Sequence, residues 1–193
     1  FIGPFSSGFI VKETVDEDFD CLSALDLPNS VGNQCGAQNQ NGGVRNPCKY
    51  TLYSDPFNGY LDATIKDGVA EEYESIAKRL EELSHNSKFS YIFESEAALC
   101  RLLAVKYPLG KKTRQAYKAK DKVALSAIIE DYKQAKRLLS EFYRLFKNLW
   151  FKENKPHGFD VQDLRLGGLM CRLNSCRERL EDYVNGKIDS IAE

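Results

Sequence analysis

The stretch Asp121–Trp150, DKVALSAIIEDYKQAKRLLSEFYRLFKNLW, decides the fold class. Its apolar residues Val123, Leu125, Ile128, Ile129, Tyr132, Ala135, Leu138, Leu139, Phe142, Leu145, Phe146, Leu149 and Trp150 return mostly at three- and four-residue steps. That is the period of an α-helix, and it puts the set on one face. The pattern predicts a long helix over about 122–153. Asp121 is placed as its N-cap, because a carboxylate there accepts from amides that have no partner within the helix.

Working outward, the same period continues. Leu61, Ile65, Val69, Ile76, Leu80 and Leu83 predict an earlier helix face, with Glu71, Glu72, Lys78, Arg79, Glu81 and Glu82 opposite and Ser84–Ser87 as its end. The stretch Lys88–Lys120 carries Tyr91, Ala98, Leu99, Leu102, Leu103 and Val105, and Pro108 and Gly110 inside it predict a kink or break. A last helix is expected from about Leu164, started by Asp163, with Leu166, Leu169, Leu173, Cys176, Leu180 and Tyr183 inward. No alternating strand pattern occurs after residue 60. The expected fold is therefore all-α, an antiparallel bundle of three to five helices over residues 57–193.

Residues 1–56 read as an irregular extension. Residues 1–60 hold seven of the thirteen glycines and four of the six prolines. Within this region Asp16–Leu27 suggests a short helix stopped by Pro28. Asn29–Asn46 suggests a polar loop, and Tyr50–Tyr60 a short helix or packed irregular segment. The chain begins at Phe1 and stops at Ser190–Glu193, within what reads as a continuing helix, so it is expected to be a piece of a longer protein.

The net charge of −1 gives the surface no strong pull toward nucleic acid or an anionic membrane. No apolar run approaches the roughly 20 residues needed to cross a bilayer. Cys21, Cys35, Cys48, Cys100, Cys171 and Cys176 form no CxxC pair and are read as free thiols in a reducing compartment, hence in the cytoplasm. Glu82 and His85 match a Glu-x-x-His metal spacing, but the chain has only two histidines, and His157 has no glutamate three residues before it. No metal or other cofactor is therefore expected. Lys111–Lys122 holds six basic residues and reads as a solvated helix face. Gly167-Gly168 lacks the spacing of a phosphate loop and reads as a close-packing device.

One segment between apolar helices is richer than a connector needs: Trp150–Gly168, WFKENKPHGFDVQDLRLGG. Its Trp150, Asn154, Lys155, His157, Phe159, Asp160, Gln162, Asp163 and Arg165 are read as a binding or docking loop, contacting a barrel, a partner subunit or a substrate mouth. Asp160 and Asp163 could act as an acid–base pair, but acids at this spacing beside a helix start are more often caps and dipole partners. From the residues alone a docking module without its own active site leads. A stand-alone helical adaptor or regulatory bundle is the alternative.

The run Asn154–Gly168 resembles the C-terminal helical domain of a bacterial subgroup of glycoside hydrolase family 20, the exo-acting β-N-acetylhexosaminidases. Leu25–Asn29, Asn46–Tyr50 and Leu52–Phe57 resemble the region that links the barrel to the helices, and the likeness runs on to Arg177–Tyr183. The resemblance implies a parent enzyme with a (β/α)8 barrel that removes terminal N-acetylglucosamine or N-acetylgalactosamine from glycans. The substrate's acetamido oxygen attacks the anomeric carbon, and an Asp-Glu pair on the barrel assists; this family is an exception to the two-carboxylate scheme. It also implies the barrel of the same chain as partner, and a homodimer. Glu17-Asp18 and Glu181-Asp182 run in the wrong order for that pair, and Asp16-Glu17 lies past the expected barrel, so no catalytic residue is carried over. Phe1–Val15, the insert at 32–45 and Pro108 depart from the family pattern.

Overall fold

In a computed structural model, residues 51–192 are described apart from 60, 61, 63, 64 and 86. The expected short helix at Asp16–Leu27 and loop at Asn29–Asn46 lie outside the described residues. The architecture is all-helical: a helical turn at 51–53, then α1 (Val69–Ser84), α2 (Ser90–Lys118), α3 (Lys122–Glu153) and α4 (Phe159–Val184). Each long helix packs on the next in chain order, through turns of three to five residues, so neighbours run antiparallel.

Local chemistry sets most boundaries. At the α2–α3 corner Lys120 adopts a left-handed φ of 54°, and the Asp121 carboxylate accepts the Ala124 amide at 2.9 Å, as the sequence predicts. Every residue of the α3 apolar set is buried or half-buried except Val123, which is 84 % exposed in the first turn. The inward set expected for α4 is buried throughout.

Four expectations are corrected. First, the first helix begins only at Val69, after Gly68 turns the chain at φ 88°. Its buried line is Val69, Tyr73 and Ala77; Ile76 and Leu80 flank it and Leu83 faces out. Second, Pro108 does not break α2. A proline in a helix removes one hydrogen bond and crowds the preceding turn, but Leu102, Leu103, Tyr107 and Leu109 are buried on both sides of it and hold the axis. Third, α4 starts at Phe159 rather than Leu164. Gly158 makes the turn at φ 91°, and the buried Phe159 ring fixes the entry, which leaves Asp163 in the second turn. Fourth, the chain end is not helical: α4 stops at Val184, Gly186 turns the chain at φ 72°, and the Ile191 amide donates to the Tyr117 hydroxyl at 2.9 Å.

The core runs the length of the bundle and includes Leu52 and Phe57 from before α1. Ser95 to Cys100 are six successive buried residues, so α2 is enclosed on every side there. It packs on α1 on one side and on α3 on the other.

Replacing Asp121 by alanine removes the α3 cap and should cost about 1 kcal/mol. Lys120→Gly should act in the opposite direction, because glycine adopts the left-handed corner without strain. Denaturant midpoints of the two variants, measured against the parent chain, check both signs.

Candidate functional site

The described residues between 51 and 68 form a connector, and α2 is built to receive it. Lys106, Gly110 and Arg114 follow one another at four-residue steps and form a single stripe. The Lys106 ammonium is buried and donates to the Thr51 carbonyl at 3.0 Å, the Ser54 carbonyl at 2.8 Å and the Ser54 hydroxyl at 3.3 Å. Gly110 has no side chain where the connector passes: a Cβ there would lie 2.9 Å from the Pro56 carbonyl oxygen. Arg114 donates to the Pro56 carbonyl and to both carboxylate oxygens of Asp62. Further along, Lys111 donates to the Ile65 carbonyl at 2.9 Å, and the Lys66 amide donates to the Tyr107 hydroxyl at 3.0 Å.

The other wall is α4. Arg172 grips Asp55 through Nε at 2.5 Å and Nη2 at 3.2 Å. Burial disfavours the charged Asp55, but hydrogen bonds from Arg172 and the Phe57 amide, with the arginine charge, outweigh it and hold the carboxyl below its ordinary range. Tyr53 is half-buried, and burial pushes its hydroxyl up to about 12 against the pull of the Arg165 charge. The connector is thus clamped between α2 and α4.

Burial draws Lys106 down to about 7, against the opposing charges of Asp55 and Cys176. Glu96, earlier on α2, is pushed up by burial to about 8, and its Oε1 has no hydrogen-bond partner among the described residues. Sequence reasoning missed this clamp, and it took Lys111–Lys122 as a solvated face. Of its six basic residues Lys112, Lys118, Lys120 and Lys122 are exposed, whereas Lys111 and Arg114 are half-buried and hold backbone. A signal was present: Lys106 shares the inward period of Leu99, Leu102, Leu103 and Leu109.

The segment Trp150–Gly168 is less of a loop than its length suggests, since only residues 154–158 are non-helical. Its aromatics fold together. The Phe159 ring lies 5.7 Å from Trp150, 5.8 Å from Phe146, 5.3 Å from Phe151 and 6.0 Å from Tyr143. The Trp150 indole donates to the Lys155 carbonyl at 3.1 Å, which closes the turn. Asn154 caps the end of α3, and its Nδ2 is buried without a hydrogen-bond partner; Gln162 is buried with its Oε1 in the same state. Lys155, His157, Asp160, Asp163 and Arg165 are exposed. Asp163 accepts from the Tyr143 hydroxyl at 2.6 Å and, in the second turn of α4, is not its cap. Among the described residues nothing packs closely on Gly167 or Gly168: a Cβ at either would meet nothing within 4 Å.

Among the described residues no group of His, Cys, Asp and Glu is arranged to hold a metal ion, and no helix is long and apolar enough to cross a membrane.

Two titrations follow. Lys106 keeps its proton less readily folded than unfolded, so between about pH 7 and its ordinary 10.5 the unfolded chain binds more protons and stability should rise with pH. Glu96 does the reverse: its contribution is full below 4.5 and is lost as pH rises through about 8. Unfolding free energies across pH 4–10 should lose the lower limb in Glu96→Gln and the upper one in Lys106→Met. Gly110→Ala should destabilise by about 1–3 kcal/mol through its clash with the connector, read in the same unfolding assay.

No curated protein matches the chain. The family model of the Glycoside Hydrolase 20C C-terminal domain matches residues 18–193, which takes in the connector, all four helices and the turn between α3 and α4. The chain belongs to that family of glycoside hydrolase C-terminal domains.

Proposed function

We propose that this chain is the non-catalytic C-terminal helical domain of a β-N-acetylhexosaminidase, and that it holds the enzyme's catalytic barrel in place. The observation that carries the reading is the clamp. Lys106, Arg114 and Arg172 reach, from two helices, for the backbone and acids of the connector. A rigid grip on that segment fixes the direction from which a preceding domain approaches the bundle.

In this reading bond cleavage belongs to the barrel, which removes terminal N-acetylglucosamine or N-acetylgalactosamine from glycans. The exposed Lys155, His157, Asp160, Asp163 and Arg165 at one end of the bundle serve as contacts to the barrel or to a second subunit of a homodimer. Trp150 and Phe159 keep the turn that presents them rigid. The setting is cytoplasmic.

The 193-residue chain alone should leave an aryl N-acetyl-β-glucosaminide intact, while the protein that carries the barrel upstream cleaves it. Asp55→Ala in that protein should lower the temperature at which its activity is lost, because Arg172 then loses its two hydrogen bonds to the connector carboxylate. Hydrolysis by the purified chain alone would overturn the reading.

A further inference from the structure

The stripe of α2 that receives the connector has a fourth member. Tyr117 follows Arg114 by three residues and continues the line of Lys106, Gly110 and Arg114 on one helix face. Its hydroxyl accepts the Ile191 amide at 2.9 Å and lies 3.5 Å from the Ile191 carbonyl oxygen, so one side chain meets both backbone groups of one residue. The Tyr117 ring stands edge-on to Tyr183, 5.0 Å away, at the end of α4. One face of α2 therefore holds both the segment before α1 and the segment after α4.

The two holds differ in strength. The connector is gripped by Lys106, Arg114 and Arg172. The segment 185–192 turns off α4 at Gly186, where the Lys187 amide donates to the Asp182 carbonyl at 2.8 Å. Beyond that turn, no backbone–backbone hydrogen bond holds 188–190 among the described residues. Within 185–192 only Ile188 and Ile191 are half-buried, and the rest is exposed. A strap with so few contacts opens at a fraction of the free energy that unfolds the bundle.

The strap also forms a wall of the clamp. Ile191 lines a small cleft together with Phe57, Thr113, Arg114, Tyr117 and Leu180. Phe57 is the buried connector residue over which the Arg172 guanidinium sits at 5.4 Å. The Arg114 and Asp62 side chains are 20 % and 37 % exposed, so their ion pair stands at the edge of water. Lifting Ile191 admits water to the Phe57 ring and to that pair. Apolar burial is lost, and an ion pair contributes little once solvated. Lys106 lies two turns earlier on α2, about 12 Å away along the axis, and its carbonyl contacts do not involve the strap.

We propose that residues 185–192 form a releasable latch on the connector, with Tyr117 as its catch. When the strap lifts, the grip on Phe57–Asp62 loosens while the hold of Lys106 on residues 51–54 persists. The latch concerns this chain's own contacts and stands whether or not the hexosaminidase reading does.

Hydrogen exchange of the full-length protein, resolved to single amides by mass spectrometry with fragmentation, tests it. Ile191→Asp removes the apolar contact, and Tyr117→Phe removes the hydroxyl while the ring stays against Tyr183. In Ile191→Asp the Ile191 position and the Phe57, Asn58 and Asp62 amides should exchange about tenfold faster or more. In Tyr117→Phe the same amides should quicken by about threefold to tenfold. In both, the Leu138, Leu139 and Phe142 amides of α3 should keep the parent rate. Three results would overturn the proposal. Faster exchange at 191 with an unchanged connector would make the strap an appendage. Equal acceleration of the α3 amides would mean that the strap opens only with the whole bundle. Unchanged exchange at 191 in both variants would remove Tyr117 and the Ile191 side chain as what holds the strap.

Discussion

The buried ammonium of Lys106 is the contact on which the arrangement turns. Taking a cation out of water costs several kcal/mol, and neutral carbonyls restore only part of that. The lowered proton affinity of Lys106 is the mark of the deficit. Such a group adds little net stability. What it supplies is uniqueness: three donors meet three acceptors on residues 51–54, and a shift of the connector by one residue would leave the charge buried and unmatched. Gly110 and Arg114 repeat the demand one and two turns further on. The connector consequently has one register on α2, the helix that packs on both α1 and α3.

The helices were legible because burial imposes a period. In α3 a strict set of apolar positions meets the core, and Asp121 supplies an amide partner that only a few side chains can supply, so both body and start could be read. The α4 inner face was equally plain. Its start was not, because Asp163 has the composition of a cap while the actual turn is made by Gly158 without any side-chain acceptor. Helix breakers misled in the same way. Pro108 signals a break only when packing does not override it, and here Tyr107 and Leu109 on either side of it are buried.

The clamp was hidden for a different reason. Its acceptors are mostly backbone carbonyls of residues 51, 54, 56 and 65, and a carbonyl has no letter in a sequence. Lys111 and Arg114 therefore looked like any other charges on a basic helix. The turn between α3 and α4 shows the converse. Its residue types were conspicuous, yet much of that chemistry is internal: Trp150 closes the turn on Lys155, and Phe159 is a core residue. Composition advertised a site there, whereas the longer-range organisation lay with residues that composition made ordinary.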